Sequence, residues 1–471
     1  MTITDPRTLP SARHAARLAL FLLFSLVLAL RPAAAQSILR DAETEELFAE
    51  MSRPLIEAAG LRPQGVEIIL IGDPSINAFV AGGQRVFLHS GLITSAENVN
   101  EVQGVIAHEL GHVEGGHIIR MSEGMGEASS ISLLSLLAGA ALIALGAGDA
   151  GFAALSAGSR AAIGRLLAFS RVQESSADLA GARYLSQAGI SGRGSLAFFR
   201  RLQNLEYRLA IPQTDSYDRT HPLSGERITI LTELYESDPA WDTPIDPALE
   251  ARFQRVRAKL YGFVADPQQV LVTYPESDQT IPARYARAYA WHRDGYPDRA
   301  LAEANALVNV DPDDPYFREL RGQILLESGR PDDALPDLRL ALAQSRSNPL
   351  IASLFGHALI ATEDQENLAE ARRVLRVAVQ RDNRNPFAWR RLGYIYSAEG
   401  DDARAYLATA EYANLAGQHQ LALVNARQAM QNIPSGSVDW LRAQDIVLVS
   451  ETQIEREGGR RRQPRGELSI R

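Results

Sequence analysis

Cysteine is missing from all 471 residues, which excludes disulfides and leaves the fold to be held by its apolar cores. The same absence closes the lipoprotein route, since no cysteine follows the candidate cleavage site at Ala33-Ala34-Ala35. Positive charge is also short. The net charge is −9, and no basic stripe interleaved with aromatics is present, which argues against a nucleic-acid partner. The one strongly basic segment, Arg456 to Arg465, reads as part of a mobile tail over 452–471. Long apolar runs are few. The first, Leu18 to Leu30, is about 13 residues long, short for a membrane span. With Arg7, Arg13 and Arg17 before it and small residues after it, residues 1–35 read as a cleavable secretory signal, best suited to export into a bacterial periplasm.

What is present is concentrated in five residues. His108-Glu109-Leu110-Gly111-His112 follows the apolar run Val105-Ile106-Ala107. Histidines at i and i+4 project from one helix face, so both imidazoles can reach one Zn²⁺ at about 2.0–2.1 Å. Glu109 then lies beside the metal, where it can take a proton from water. Asn98 or Asn100 can cap this helix, and Gly115-Gly116 supplies a break after it. A zinc peptidase is the leading reading.

Two histidines leave a catalytic zinc site one ligand short. His117 falls one position before the third histidine of a metzincin, where Ile118 stands instead, so it reads as a group behind the site or on the surface. Glu174 and Asp178 are the better candidates. They are four apart and share one helix face, so Glu174 can complete a His₂Glu set while Asp178 accepts the outer N–H of a ligand imidazole.

These motifs resemble the gluzincin family that includes the CAAX prenyl proteases. The likeness covers roughly residues 60 to 235. It rests on His108-Glu109-x-x-His112 with His117 following and on Ser170-Arg171-x-x-Glu174-x-x-Ala177-Asp178. The strand-like segments Asn77 to Gly83 and Val86 to Leu92, and Thr220-His221-Pro222-Leu223-Ser224-Gly225-Glu226-Arg227-Ile228, add to it. The resemblance implies His108, His112 and Glu174 as zinc ligands, Glu109 as base and Asp178 as the group orienting a ligand histidine. It also implies that His221 and Arg227 sit over the metal cleft. There His221 either stabilises the oxyanion or fills the fourth coordination position in a resting form. Soluble relatives carry apolar insertions like 129–159, so this stretch reads as a helical hairpin over the cleft or dipping into a membrane surface. Here the insertion is larger than usual, and Ser175-Ser176 departs from the family pattern.

The second half repeats. Pro315, Pro349 and Pro386 recur at spacings of 34 and 37, with Gly322, Gly356 and Gly393 in first helices and Ala334, Ala371 and Ala405 in second helices. Trp389-x-x-Leu392-Gly393-x-x-Tyr396 comes closest to the tetratricopeptide pattern. Three to five helix pairs would stack into a protein-binding solenoid, with Tyr285, Tyr289, Trp291, Tyr394 and Tyr396 mostly in its core.

The expected architecture is multidomain. An α+β, mainly α, zincin-like metallopeptidase domain (36–238) is followed by a linker and connecting helix (239–281) and an all-α tetratricopeptide solenoid (282–451). That order, behind a signal, is similar to the family of periplasmic β-barrel assembly-enhancing proteases. The resemblance implies unfolded or partly assembled outer-membrane proteins as substrates, engaged as an extended strand at an edge such as Arg85 to Leu88. It implies contact with the outer-membrane assembly machinery through the repeats. The competing class is a chaperone or scaffold whose zinc site is latent.

Overall fold

A computed structural model describes residues 37–117, 120, 126, 129–138, 148–209, 221 and 224–462. Residues 1–36 with the signal reading, residues 139–147 of the apolar insertion and residues 463–471 lie outside these. From Leu39 onward the chain forms one compact unit, mostly helical with a small sheet.

Three of the four strands of that sheet position the site: β1 (Glu67–Gly72), β2 (Ala78–Ala81) and β3 (Arg85–His89). Their β-branched and aromatic residues suit a pleated, half-buried surface. Gly82 and Gly83 take positive φ angles of 60° and 98°, which lets the chain reverse between β2 and β3. β3 pairs antiparallel with β2, Phe79 opposite Phe87, and parallel with β1, Ile69 opposite Phe87. Arg85 to Leu88 is therefore flanked on both sides and offers no edge, contrary to the sequence expectation. Among the described strands, β2 lies at one end of the sheet.

The HExxH helix, α2 (Val99–Glu114), follows the first long helix, α1 (Ala42–Ala58). Asn98 caps α2, its Oδ1 accepting from the Glu101 N–H at 3.2 Å, while Glu101 reaches back to the Glu97 N–H. Nearly every α2 side chain from Val99 to His112 is buried, so the metal motif sits inside the core rather than on a surface groove. Val102, Val105, Ile106 and Leu110 pack there with Phe48, Met51, Tyr184 and Phe198, each such side chain contributing about 1.5–3 kcal/mol on burial.

Three further helices close this half: α3 (Gly148–Gln187), α4 (Arg193–Leu209) and α5 (Gly225–Glu236). α3 carries Glu174 and begins far upstream of it. Residues 129–138 are also helical. Leu133, Leu134, Leu136 and Leu137 are exposed there, and Ser135 packs against Gly158. No described helix is long and apolar enough to cross a membrane.

The segment 239–281 carries the expected connecting helix, packed on both faces. Helix α6 (Pro247–Val264) buries Phe253, Val256 and Leu260 in the peptidase core. Its opposite face packs Ala258 against Ala286 and Ala290 of the first repeat helix. Apolar residues at helical spacing on both faces make it a shared wall. The chain's single lysine, Lys259, is buried on it, 2.5 Å from Asp41 and 3.2 Å from Glu43. Arg255 bridges Glu43 and Asp314 beside it. These charges are paired across the junction, as buried charges must be.

Ten repeat helices follow, in five antiparallel pairs: 281–293 with 297–310, 315–327 with 331–344, 349–361 with 365–381, 386–398 with 402–415, and 419–432 with 438–462. Pro315, Pro349 and Pro386 each open a first helix, where a missing N–H costs nothing. The recurring glycines are contact points: a Cβ at Gly322 would lie 2.6 Å from Leu338 Cγ, and one at Gly356 2.5 Å from Leu375 Cγ. Tyr285, Tyr289, Trp291 and Tyr396 are buried, but Tyr394 is 59% exposed. The last helix continues to Arg462, so a disordered tail starting at 452 is corrected. Thr452 to Glu457 holds mostly helix-forming residues, and the weak Gly458-Gly459 pair comes only later.

Candidate metal centre

His108 and His112 stand one turn apart on α2, with rings 4.8 Å centroid to centroid. Glu174 reaches them from α3, and His221 approaches from the segment before α5. Their mutual distances also make good sense as a coordination shell. His108 Nε2 lies 3.1 Å from His112 Nε2 and 3.2 Å from His221 Nδ1. The nearer Glu174 oxygens lie 3.4 Å from His108 Nε2, 3.5 Å from His112 Nε2 and 3.2 Å from His221 Nδ1. Donors held about 2.0–2.1 Å from a tetrahedral ion are about 3.3–3.4 Å apart. All four residues are buried, and their nitrogen and oxygen donors fit one divalent ion.

The surroundings prepare these donors. Burial opposes the Glu174 carboxylate, yet hydrogen bonds from His108 and His221 hold it well below its usual range. Burial, with the charges of His108 and His221, lowers His112 to about 2, which keeps its lone pair free. His108 is raised to about 10: burial works against this, but Asp178 and Glu174 prevail. A metal ion entering here must displace that proton. Asp178 Oδ1 sits 3.0 Å from His108 Nδ1, on the ring edge away from the cluster. Arg227 grips Asp178 with two bonds of 2.6 and 2.8 Å and also lies 3.1 Å from Glu174. Arg227, itself buried, thus braces both carboxylates.

Glu109 is fully buried, and neither of its oxygens accepts a hydrogen bond. His221 Nε2 lies 3.4 Å from one of them. Burial raises the pKa of Glu109, a push that Glu174 adds to and His221 and His108 oppose.

Residues 40–235 match peptidase family M48. This stretch is an M48 peptidase domain. Most of the chain is similar to the putative beta-barrel assembly-enhancing protease of Vibrio cholerae serotype O1, at 27% identity over 90% of this chain and 86% of that protein. It is also similar to the beta-barrel assembly-enhancing protease of Escherichia coli K12, at 24% identity over 79% of this chain and 76% of that protein. Metalloprotease LoiP of Escherichia coli K12 is 31% identical over 38% of this chain and 65% of its own length. The chain is a metallopeptidase with a helical-repeat half.

Within the M48 domain the structure brings together His108, Glu109, His112, Glu174, Asp178, His221 and Arg227. Sequence reasoning missed Gly111. A Cβ there would lie 2.8 Å from the Ala177 carbonyl oxygen, so this glycine sets how closely α2 and α3 cross, and hence the reach of Glu174. Gly181 approaches the Ala107 backbone in the same way, at 3.1 Å. A glycine inside a buried helix was the available signal. His117 lies against the outer nitrogen of His112 and is not among the grouped donors.

Proposed function

We propose that this chain is a zinc-dependent endopeptidase of the bacterial periplasm that acts on misfolded or stalled outer-membrane β-barrel proteins. Zinc is the ion best suited to a buried set of two or three imidazoles and one carboxylate. When bound, it polarises the scissile carbonyl and lowers the pKa of water. Glu109 takes a proton from the attacking water and returns it to the leaving amine nitrogen. Its dry, raised-pKa setting suits both tasks. Asp178, braced by Arg227, keeps His108 Nε2 turned to the metal.

The substrate assignment rests on the similarity to beta-barrel assembly-enhancing proteases, which extends across both halves of the chain. Unfolded barrel segments are strands in search of a partner. The edge strand β2 offers backbone groups for such a strand to pair with, and the repeats would supply further protein contacts, including to the outer-membrane assembly machinery. Residues 129–159, with their exposed leucines, suit a peripheral membrane contact.

The observation that carries the reading is the four-cornered donor set with an unbonded carboxylate beside it. His221 at the fourth corner supports a resting form that is latent until that corner is vacated. It also keeps a second reading alive, in which the chain serves mainly as a chaperone or scaffold. Purified protein incubated with casein and with an unfolded outer-membrane barrel, with and without a chelator, separates the two. Chelator-sensitive cleavage of the barrel supports the peptidase reading. Binding without cleavage, unchanged by chelator, supports the scaffold.

A further inference from the structure

Each metal-facing histidine on α2 has an outer nitrogen that needs a partner, and the two partners differ. For His108 it is the Asp178 carboxylate. For His112 it is an imidazole: His117 Nδ1 lies 2.9 Å from His112 Nδ1, with the rings edge-on at 81°. Because His112 Nε2 faces the cluster, its Nδ1 must carry the ring proton, and His117 Nδ1 must accept it.

The chain between the two histidines is shaped for this contact. Gly115 caps the end of α2, and Gly116 takes a φ of 62°, a left-handed conformation that turns the chain back on itself. His117 is thereby returned to the end of the helix it has just left and is buried there. The space it occupies lies over Gly115. A Cβ at Gly115 would be 2.3 Å from His117 Nε2, so any side chain there would push the ring off its partner. Two successive glycines thus do different jobs, one turning the chain and the other making room.

We infer that His117 is a positioning residue: it fixes the tautomer and orientation of His112, and the Gly115-Gly116 turn exists to deliver it. The inference rests on the zinc-peptidase reading. Loss of such an outer partner weakens metal binding by about 10–100-fold.

The test measures zinc affinity by competition with a chromogenic chelator on the mature protein carrying His117→Ala, His117→Asn or His117→Gln. An asparagine places its amide oxygen near the former Nδ1, whereas a glutamine places its own nearer the former Nε2. The expected result is about 10–100-fold weaker zinc binding for His117→Ala, most of it restored by His117→Asn and little by His117→Gln. Gly115→Ala is expected to weaken binding in the same direction. A packing role alone would let both amides rescue or neither, and either pattern overturns the inference. So does His117→Ala binding zinc within twofold of wild type. Wild-type protein that takes up no zinc would overturn the peptidase reading, and this inference with it.

Discussion

Gly111 and Ala177 meet where the HExxH helix crosses the helix that brings Glu174, at a distance that leaves no room for a methyl group. Gly111→Ala would gain about 1 kcal/mol of helix propensity. Against this stands an overpacking cost of about 1–3 kcal/mol, since the obstructing atoms are backbone and cannot swing aside. The expected outcome is a net loss of stability together with weaker metal retention, because spreading the helices draws Glu174 from the histidines. Thermal unfolding with and without zinc reads both. A variant more stable than wild type in both conditions would show that the crossing has slack.

Glu109→Gln is nearly the same size and keeps the buried site filled, but it cannot accept a proton. Casein hydrolysis is expected to fall by about 10²–10⁴-fold, with zinc content unchanged, since Glu109 is not among the grouped donors. Retained cleavage would remove Glu109 from the role of base. Loss of zinc would instead make it a ligand.

His221 Nδ1 stands at the corner a substrate carbonyl would need, within 3.2 Å of both His108 and Glu174. His221→Ala is therefore expected to raise the initial rate of casein cleavage by several-fold and to weaken zinc binding modestly. A lower rate with intact zinc would return His221 to the alternative role of oxyanion donor.

Legibility in the sequence followed the range of the interaction. His108, Glu109 and His112 were readable because one helical turn decides their geometry. Glu174 and Asp178 became candidates because the site lacked a third ligand and they share one helix face, and His221 only through family resemblance, since nothing local ties these residues to the HExxH helix. The edge strand was misplaced because the glycine turn announces that β2 and β3 are neighbours, while the parallel partner β1 leaves no mark of its position. The connecting helix within 239–281 was legible as a helix, but that Phe253, Val256 and Leu260 belong to the peptidase core depends on partners distant in the chain. The repeat helices were legible because Pro, Gly and Ala recur for steric reasons that each unit meets alike.

Glu319 gives the junction a pH dependence. It lines a cavity of about 410 Å³ between the peptidase and repeat halves, together with Asp41, Lys259 and Tyr289, and its Oε2 has no hydrogen-bond partner. Burial raises its pKa from 4.5 to about 8; Asp41, Glu43 and Asp314 add to this and Lys259 opposes it. The folded chain thus keeps a proton that the unfolded chain releases above pH 4.5. Its stabilising effect is fully present below that pH and is lost as pH rises through about 8. Glu319→Gln removes the titration. Its stability relative to wild type is expected to improve steadily between pH 5.5 and pH 8.5, read as the difference in urea midpoints at each pH. A difference that stays constant over that range would mean that Glu319 titrates alike in the folded and unfolded chain.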